Sequence, residues 1–178
     1  MAGLYIMDMA TIMVGNDQPE SLNHLKLTGV QLPSLEEMTS GHTPGGSVMA
    51  LDIGMTMLNA LNLTFKMKGL NPESSRKLGI GQARRIDYTI RGNVRDVRED
   101  RNFAAKAVVN GRMTMVNPSE FARESGIDED FAIKEIVRYS LFLDGSEKFY
   151  FDFFRGPAGA RVDGNPIFGA QAGNLGLI

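Results

Sequence analysis

The chain has 178 residues, 43% hydrophobic and 22% charged, an apolar share that can bury one sizeable core and sets intrinsic disorder aside. Nineteen Lys and Arg against 21 Asp and Glu give a net charge of −2, which argues against holding nucleic acid or an anionic membrane by bulk charge. With no Cys and two His, the chain can build no disulfide, no thiolate zinc site and no cysteine nucleophile.

Met1 to Val14 is apolar, but no Lys or Arg precedes Lys26 and Asp8 interrupts the run, so it does not read as a signal peptide. No stretch approaches the ~20 uncharged apolar residues of a membrane-spanning helix. From Leu25 to Leu32 the apolar parity switches from odd to even at Gly29, the pattern of a bulged strand. Ser34 to Gly46 carries Gly, Pro, Ser and Thr without a β pattern and reads as a long loop of the kind that contacts something. Met49, Leu51, Ile53 and Met55 alternate with small or polar residues, and Leu61, Leu63, Phe65 and Met67 alternate with Asn62, Thr64, Lys66 and Lys68. Both are strand patterns of period two.

Asn71 as a cap, Pro72 in a first turn and Gly79 as a stop predict one helix of about two turns. The cleanest strand runs from Arg85 to Arg95, with Ile86, Tyr88, Ile90 and Val94 on one face. Phe103, Ala105, Ala107 and Val109 continue towards Met113 and Met115, with Gly111 as a bulge. Glu135 to Leu143 runs into Asp144-Gly145, and Phe149, Phe151 and Phe153 come out, a hairpin signal. The Gly-rich segment from Gly156 onward, with two Pro and little charge, reads as an extended arm. The expected fold is mostly β, an antiparallel barrel or sandwich with one short helix.

Candidate chemistry is thin. Ser47, Ser125 and Ser146 lack the flanking glycines of a nucleophile elbow. The run Gly41-His42-Thr43-Pro44-Gly45-Gly46-Ser47 lacks the Lys that a phosphate loop needs, and Gly79-Ile80-Gly81 lacks a third Gly. His24 and His42 have no carboxylate at ligand spacing. Glu36-Glu37, Glu99-Asp100 and Asp128-Glu129-Asp130 read as solvated turns, since acid/base work needs two carboxylates in contrasting environments on one face. The basic residues Arg91, Arg95, Arg98 and Arg101 are interleaved with Asp96, Glu99 and Asp100. Asn62-Leu63-Thr64 matches a glycosylation acceptor but lies inside a strand pattern. Eleven Met suit adaptable packing surfaces. No catalytic, cofactor-binding or metal-ligating residue is assigned.

An ordered set of short motifs carries a resemblance: Leu32-Pro33-Ser34-Leu35-Glu36-Glu37, Gly45-Gly46, Leu51-Asp52-Ile53-Gly54-Met55, Ile90-Arg91-Gly92, Val116-Asn117-Pro118-Ser119-Glu120-Phe121, Leu143-Asp144-Gly145 and Leu175-Gly176-Leu177. In this order they resemble the major tail tube protein of contractile-tailed bacteriophages and, equally, the inner tube of R-type pyocins. The resemblance runs from about Ile12 to Ile178. It departs at Asn117 and Phe121, where Asp and Trp are usual, and in a less charged tail from Ala160.

The resemblance implies a hexameric ring whose subunits share one large β-barrel, with rings stacked into a tube inside a sheath. It implies a single tail-tube domain over residues 1–178, with a core of about 12–155, an inter-ring loop at 34–46 and a C-terminal arm at 156–178. The implied partners are further copies of the chain, the sheath protein, and baseplate and terminator proteins at the tube ends. DNA would pass through the lumen without specific binding, in a virion tail assembled in the bacterial cytoplasm. The rival readings are a monomeric β-sandwich ligand-binding module and a hydrolase with a scattered carboxylate pair.

Overall fold

Alternating strands become one continuous antiparallel sheet. The computed structural model describes residues 3–15 and 23–177. In chain order these form β1 (Tyr5–Val14), α1 (Asn23–Lys26), β2 (Leu27–Gln31), β3 (Glu37–His42), β4 (Leu51–Leu58), β5 (Leu63–Lys68), α2 (Pro72–Ser75), β6 (Ile86–Asp96), β7 (Arg101–Pro118), β8 (Asp128–Leu143) and β9 (Ser146–Asp152). A 3-10 stretch (Phe153–Gly159), β10 (Ala160–Val162), β11 (Asn165–Pro166) and α3 (Gly169–Asn174) follow. Nine strands join in the order β1-β6-β7-β8-β9-β10-β11, with β5 also on β8 and β2 on β5. The strands β3 and β4 pair only with each other.

The long strand β8 divides the sheet into two wings. Its residues 128–133 pair with β5, and its residues 138–143 pair with β9. Between them the β7–β8 register slips at Asn110/Arg112, and Glu135 takes a left-handed φ of 51°. Gly111 sits at this slip: a Cβ there would stand 2.8 Å from Ile133 Cγ2 and 3.1 Å from the Lys134 carbonyl oxygen. The bulge expected at Gly111 is therefore present, and it is where the paired strands bend. A second expected bulge, beside Gly29, appears as a slip between Leu27 and Gly29 in the β2–β5 pair.

Bending brings the inward residues of both wings into one core. Ile12 and Val14 of β1, Tyr88 and Ile90 of β6, and Ala107 and Val109 of β7 share a buried cluster with Leu63, Phe65 and Met67 of β5 and Phe131 and Ile133 of β8. Phe65 and Phe131 stack with ring centroids 4.7 Å apart. Burying each such side chain contributes about 1.5–3 kcal/mol. The outer strands β1 and β2 do not hydrogen-bond to each other, so the described residues form a bent sandwich rather than a closed barrel.

Several local expectations are corrected. The described residues hold three short helices, and α2 spans one turn, Pro72–Ser75. The Asn71 side chain does not cap it, donating instead to the Lys68 and Gly69 carbonyl oxygens, while the Asn71 amide donates to Glu129 Oε2 at 2.7 Å. That contact explains why Asp128-Glu129-Asp130 is strand rather than solvated turn. Glu129 points inward and is buried, while its neighbours face out to Lys68 and Lys66 at 3.0 and 3.4 Å.

The segment 34–46 contains β3, held to β4 through the backbone, so its small polar residues need no apolar alternation to form a strand. The segment from Gly156 is packed as well. The backbone of β10 pairs with β9 and β11, Asp163-Gly164 turns with both residues at positive φ, and Ala172 of α3 is fully buried. The segment is folded against β9 through its backbone rather than an extended arm, although most of its residues from Asp163 onward are exposed. The apolar N-terminal run is the edge strand β1.

Candidate assembly surfaces

The face of the β1–β6–β7–β8–β9 wing opposite the core is polar and internally bonded. Alternation places Asp87, Thr89, Arg91, Asn93 and Arg95 of β6 there, opposite Asn110, Val108, Lys106, Ala104 and Asn102 of β7. Asp87 accepts from Asn110 at 2.7 Å and from Arg138 at 3.3 Å, and Asn93 donates to Asp8 at 2.9 Å and to Asn102 at 3.2 Å. Arg95 pairs with Asp100 at 2.8 Å. Cross-strand bonds of this kind fix register. On β9 and β10, Arg161 grips Glu147 through two bonds of 2.8 and 2.9 Å and lies 4.0 Å over the Tyr150 ring. The guanidinium holds the Glu147 carboxyl below its ordinary pKa, and the carboxylate raises that of Arg161 in turn.

The ribbon of β3 and β4 is the opposite case. Every residue of β3 and all of β4 before Leu58 are exposed. Leu51, Ile53 and Met55 share one face, and Leu51 and Ile53 lie opposite His42 and Ser40. At the base, Glu37 accepts the Thr56 amide at 2.9 Å, and Asn59 donates to the Glu36 carbonyl oxygen at 2.9 Å. Thr56 takes a left-handed φ of 53°, which interrupts the strand beneath the apolar face. An isolated two-stranded ribbon is at best marginal in water. This one presents a row of apolar side chains that its own chain leaves uncovered.

Two further apolar surfaces are open. The first half of the edge strand β1, with Tyr5, Ile6, Met7 and Met9, is exposed, anchored by an edge-on contact of Tyr5 with Phe103 at 5.5 Å. The second is a groove of about 880 Å³ between the ribbon base and the C-terminal segment, lined among others by Ile136, Val137, Phe151, Phe153 and Phe154. It lies beyond Ile133, where the β5–β8 pairing ends and β9 takes over the same edge of β8. At its wall Glu135 accepts Arg85 at 2.8 Å and pairs with Arg112 at 3.0 Å, and Phe153 and Phe154 stand 76% and 70% exposed.

The groups weighed for chemistry do not converge. His24 lies in α1 and His42 at the end of β3, both exposed. Glu36 and Glu37 belong to the ribbon base, and Glu99 and Asp100 to the turn between β6 and β7. Among the described residues no three His, Asp or Glu gather as a metal site. Burial pushes the Tyr139 hydroxyl up to about 12 and the Tyr88 hydroxyl higher still, keeping both neutral as core groups. No helix among the described residues is long and apolar enough to cross a membrane.

Open strand edges and an exposed apolar ribbon are the surfaces that the described residues leave uncovered. The family model for phage tail tube protein FII matches residues 20–168. The chain belongs to that family. No curated protein matches it. The matched span takes in β2 to β11, including the ribbon and the bent β7–β8 pair, and stops before α3. As a tail tube protein the chain is a structural component of a phage virion tail. The ordered set of short motifs, Leu143-Asp144-Gly145 among them, is what carried the resemblance to this family, while the alternation gave only the β fold class. The Asp163-Gly164 turn carried the same hairpin signal as Asp144-Gly145 and was obscured by the surrounding Gly and Pro.

Proposed function

We propose that six copies close into a ring, and that rings stack into the inner tube of a contractile phage tail or related injection particle, which conducts DNA into the host. The uncovered ribbon is the observation that carries this reading. A strand pair with an exposed apolar face is unstable alone and an aggregation hazard unless a partner covers it. Six copies would pair or cover the free edges at β1 and β2 and so remove them. The residues 34–46 then serve contacts between rings, the core of about 12–155 forms the shared barrel, and residues 156–178 complete the subunit.

Passage needs no chemistry. Duplex DNA carries one charge per ~1.7 Å of axis, so a strongly basic lining would hold it by many phosphate contacts. The net charge of −2 and the pairing of Arg138 with Asp87 and of Lys66 with Asp130 argue against such a field. Sheath, baseplate and terminator proteins would meet the tube's outside and ends, with assembly in the bacterial cytoplasm.

The apolar groove favours one competing reading, a monomeric β-sandwich that binds an apolar ligand. Negative-stain microscopy with sizing chromatography separates the two. Rings or tubes from the purified chain, with no sub-micromolar salt-sensitive affinity for duplex DNA, support the tube. A species that stays monomeric at all concentrations supports the binding module, and tight DNA binding sinks the passive conduit.

A further inference from the structure

On the polar face of the β1–β6–β7–β8–β9 wing, cations are matched by carboxylates at all but one place. Arg95 meets Asp100 at 2.8 Å, Arg138 meets Asp87 at 3.3 Å and Arg161 meets Glu147 at 2.8 Å. In the middle of the same face the β6–β7 register sets Arg91 directly opposite Lys106. Both are exposed, and among the described residues neither has a carboxylate partner. Side chains so placed leave the backbone about 4.5–5.5 Å apart at Cβ, and like charges at that separation oppose the pairing of their strands. Another opposed pair of cations, Arg112 and Lys134 of β7 and β8, is relieved by Glu135, which meets Arg112 at 3.0 Å.

The surroundings of Arg91 and Lys106 give no such relief. Across the sheet the row reads Thr11, Arg91, Lys106, Phe142, Glu147. Glu147, at the far end, is held by Arg161 through two hydrogen bonds, and Asp8 on β1 is held by Asn93. A guanidinium and an ammonium donate hydrogen bonds and accept none. What this place lacks is a negatively charged acceptor, and the described residues supply none. A local rule broken without a compensating contact inside the chain points to a functional position.

We propose that Arg91 and Lys106 bind one phosphate dianion, as free phosphate or as the terminal group of a small phosphomonoester. Such a group carries a charge of about −1.5 to −2 near pH 7 and three acceptor oxygens, which matches two cations, one of them a forked guanidinium. A carboxylate neutralises only one of the two. A nucleic-acid strand is held by a succession of cations along its phosphates, and the neighbouring cations are already committed to Asp100, Asp87 and Glu147. The hydroxyl of Thr11, paired with Arg91 from the other side, is a further donor in the row. The site lies within one subunit and needs no assembly.

Acetylation of lysines, mapped by peptide mass spectrometry on the full chain, reads the site. Lys134 is exposed and has no carboxylate partner among the described residues, so it serves as the internal reference. Inorganic phosphate, against chloride at equal ionic strength, should slow acetylation of Lys106 and leave Lys134 unchanged. Arg91→Gln, at an exposed position, should raise the phosphate concentration needed by about tenfold or more, the loss of a charged hydrogen-bond donor. Lys106→Glu supplies the missing carboxylate from within the chain. It should unfold at a higher denaturant concentration than the original chain in chloride, and phosphate should add less to its midpoint than to the original's. Protection by glycerol phosphate as well as by inorganic phosphate extends the site to phosphomonoesters, and protection by inorganic phosphate alone restricts it to the free ion; either supports it. No protection, equal protection of Lys106 and Lys134, equal protection by acetate, or protection undiminished in Arg91→Gln overturns the proposal. Protection by duplex DNA where free phosphate gives none also overturns it, because the pair is then a backbone contact for nucleic acid.

Discussion

The strands β4 and β5 follow one another in the chain, share the same period-two pattern, and meet opposite fates. In β5, Leu63, Phe65 and Met67 are buried against β8 and β6. In β4, Leu51, Ile53 and Met55 stand in solvent. Alternation therefore establishes that a strand has a face to bury, and is silent on whether its cover lies in the same chain. For β5 the cover is the other wing of the sandwich. For β4 no element among the described residues supplies it.

The contrast is sharpest in mutants of matched chemistry. Phe131→Ala removes a stacked ring from the centre of the core and should cost about 3–5 kcal/mol of subunit stability. Ile53→Ala, on the ribbon, should change it by less than about 0.5 kcal/mol, as exposed substitutions do. Denaturant unfolding of dilute, unassembled subunits measures both. Equal losses at the two positions would mean that the ribbon is packed within the free subunit, and the distinction between self-covered and partner-covered strands would collapse.

A smaller effect is expected at the hairpin joining β8 to β9. Asp144 and Gly145 have φ of 49° and 77°, the two positive values that a type I′ turn requires. Gly145→Val places a β-branched side chain in that left-handed position, at a cost of roughly 1–2 kcal/mol or more. Nothing lies within 4 Å of a Cβ there, so the cost is conformational rather than steric. Circular dichroism should retain its β signal while the yield of tubes falls, because a slipped β8–β9 register displaces Phe149 and Phe151 and with them the groove wall. Normal tubes from this variant would show that the turn does not set the register.

What the sequence made legible follows the reach of each signal. Strands with one dry face, such as β6 and β7, are read correctly because the alternation is complete within ten residues. The ribbon strand β3 is not, since Thr39, Ser40 and Gly41 pair by backbone alone and leave no side-chain pattern. The acidic run at 128–130 misleads for a different reason. Three adjacent carboxyls look solvated, yet strand geometry sends two of them to Lys66 and Lys68 and one inward to the Asn71 amide. That partner is 58 residues away, beyond any local pattern. The exposed apolar surfaces were legible only as apolar residues without an assigned cover, because the register slip at Gly111 and the left-handed Glu135 that set the two wings apart are not local signals.

The smallest expected effect tests whether the C-terminal segment resembles the core or the ribbon. Glu147 and Arg161 tie β10 to β9 through two short hydrogen bonds, with both side chains less than a third exposed. A partly buried pair of this geometry is worth about 1 kcal/mol. Glu147→Gln should therefore lower subunit stability by about that amount at pH 7. The guanidinium lowers the carboxyl's pKa in the folded state, so the contribution is complete above the unfolded carboxylate value of about 4.3 and is lost as pH falls through the lower folded value. Arg161 stays charged across this range, so the gap between the original protein and Glu147→Gln should be widest near neutrality and close as the pH falls through the lowered folded value. Unfolding midpoints of the two proteins, followed from pH 7 down until the carboxyl is protonated, give the answer. A gap that persists once the carboxyl is protonated would mean that Glu147 acts by packing rather than by its charge, and no gap at any pH would mean that β10 is held to β9 by its backbone alone.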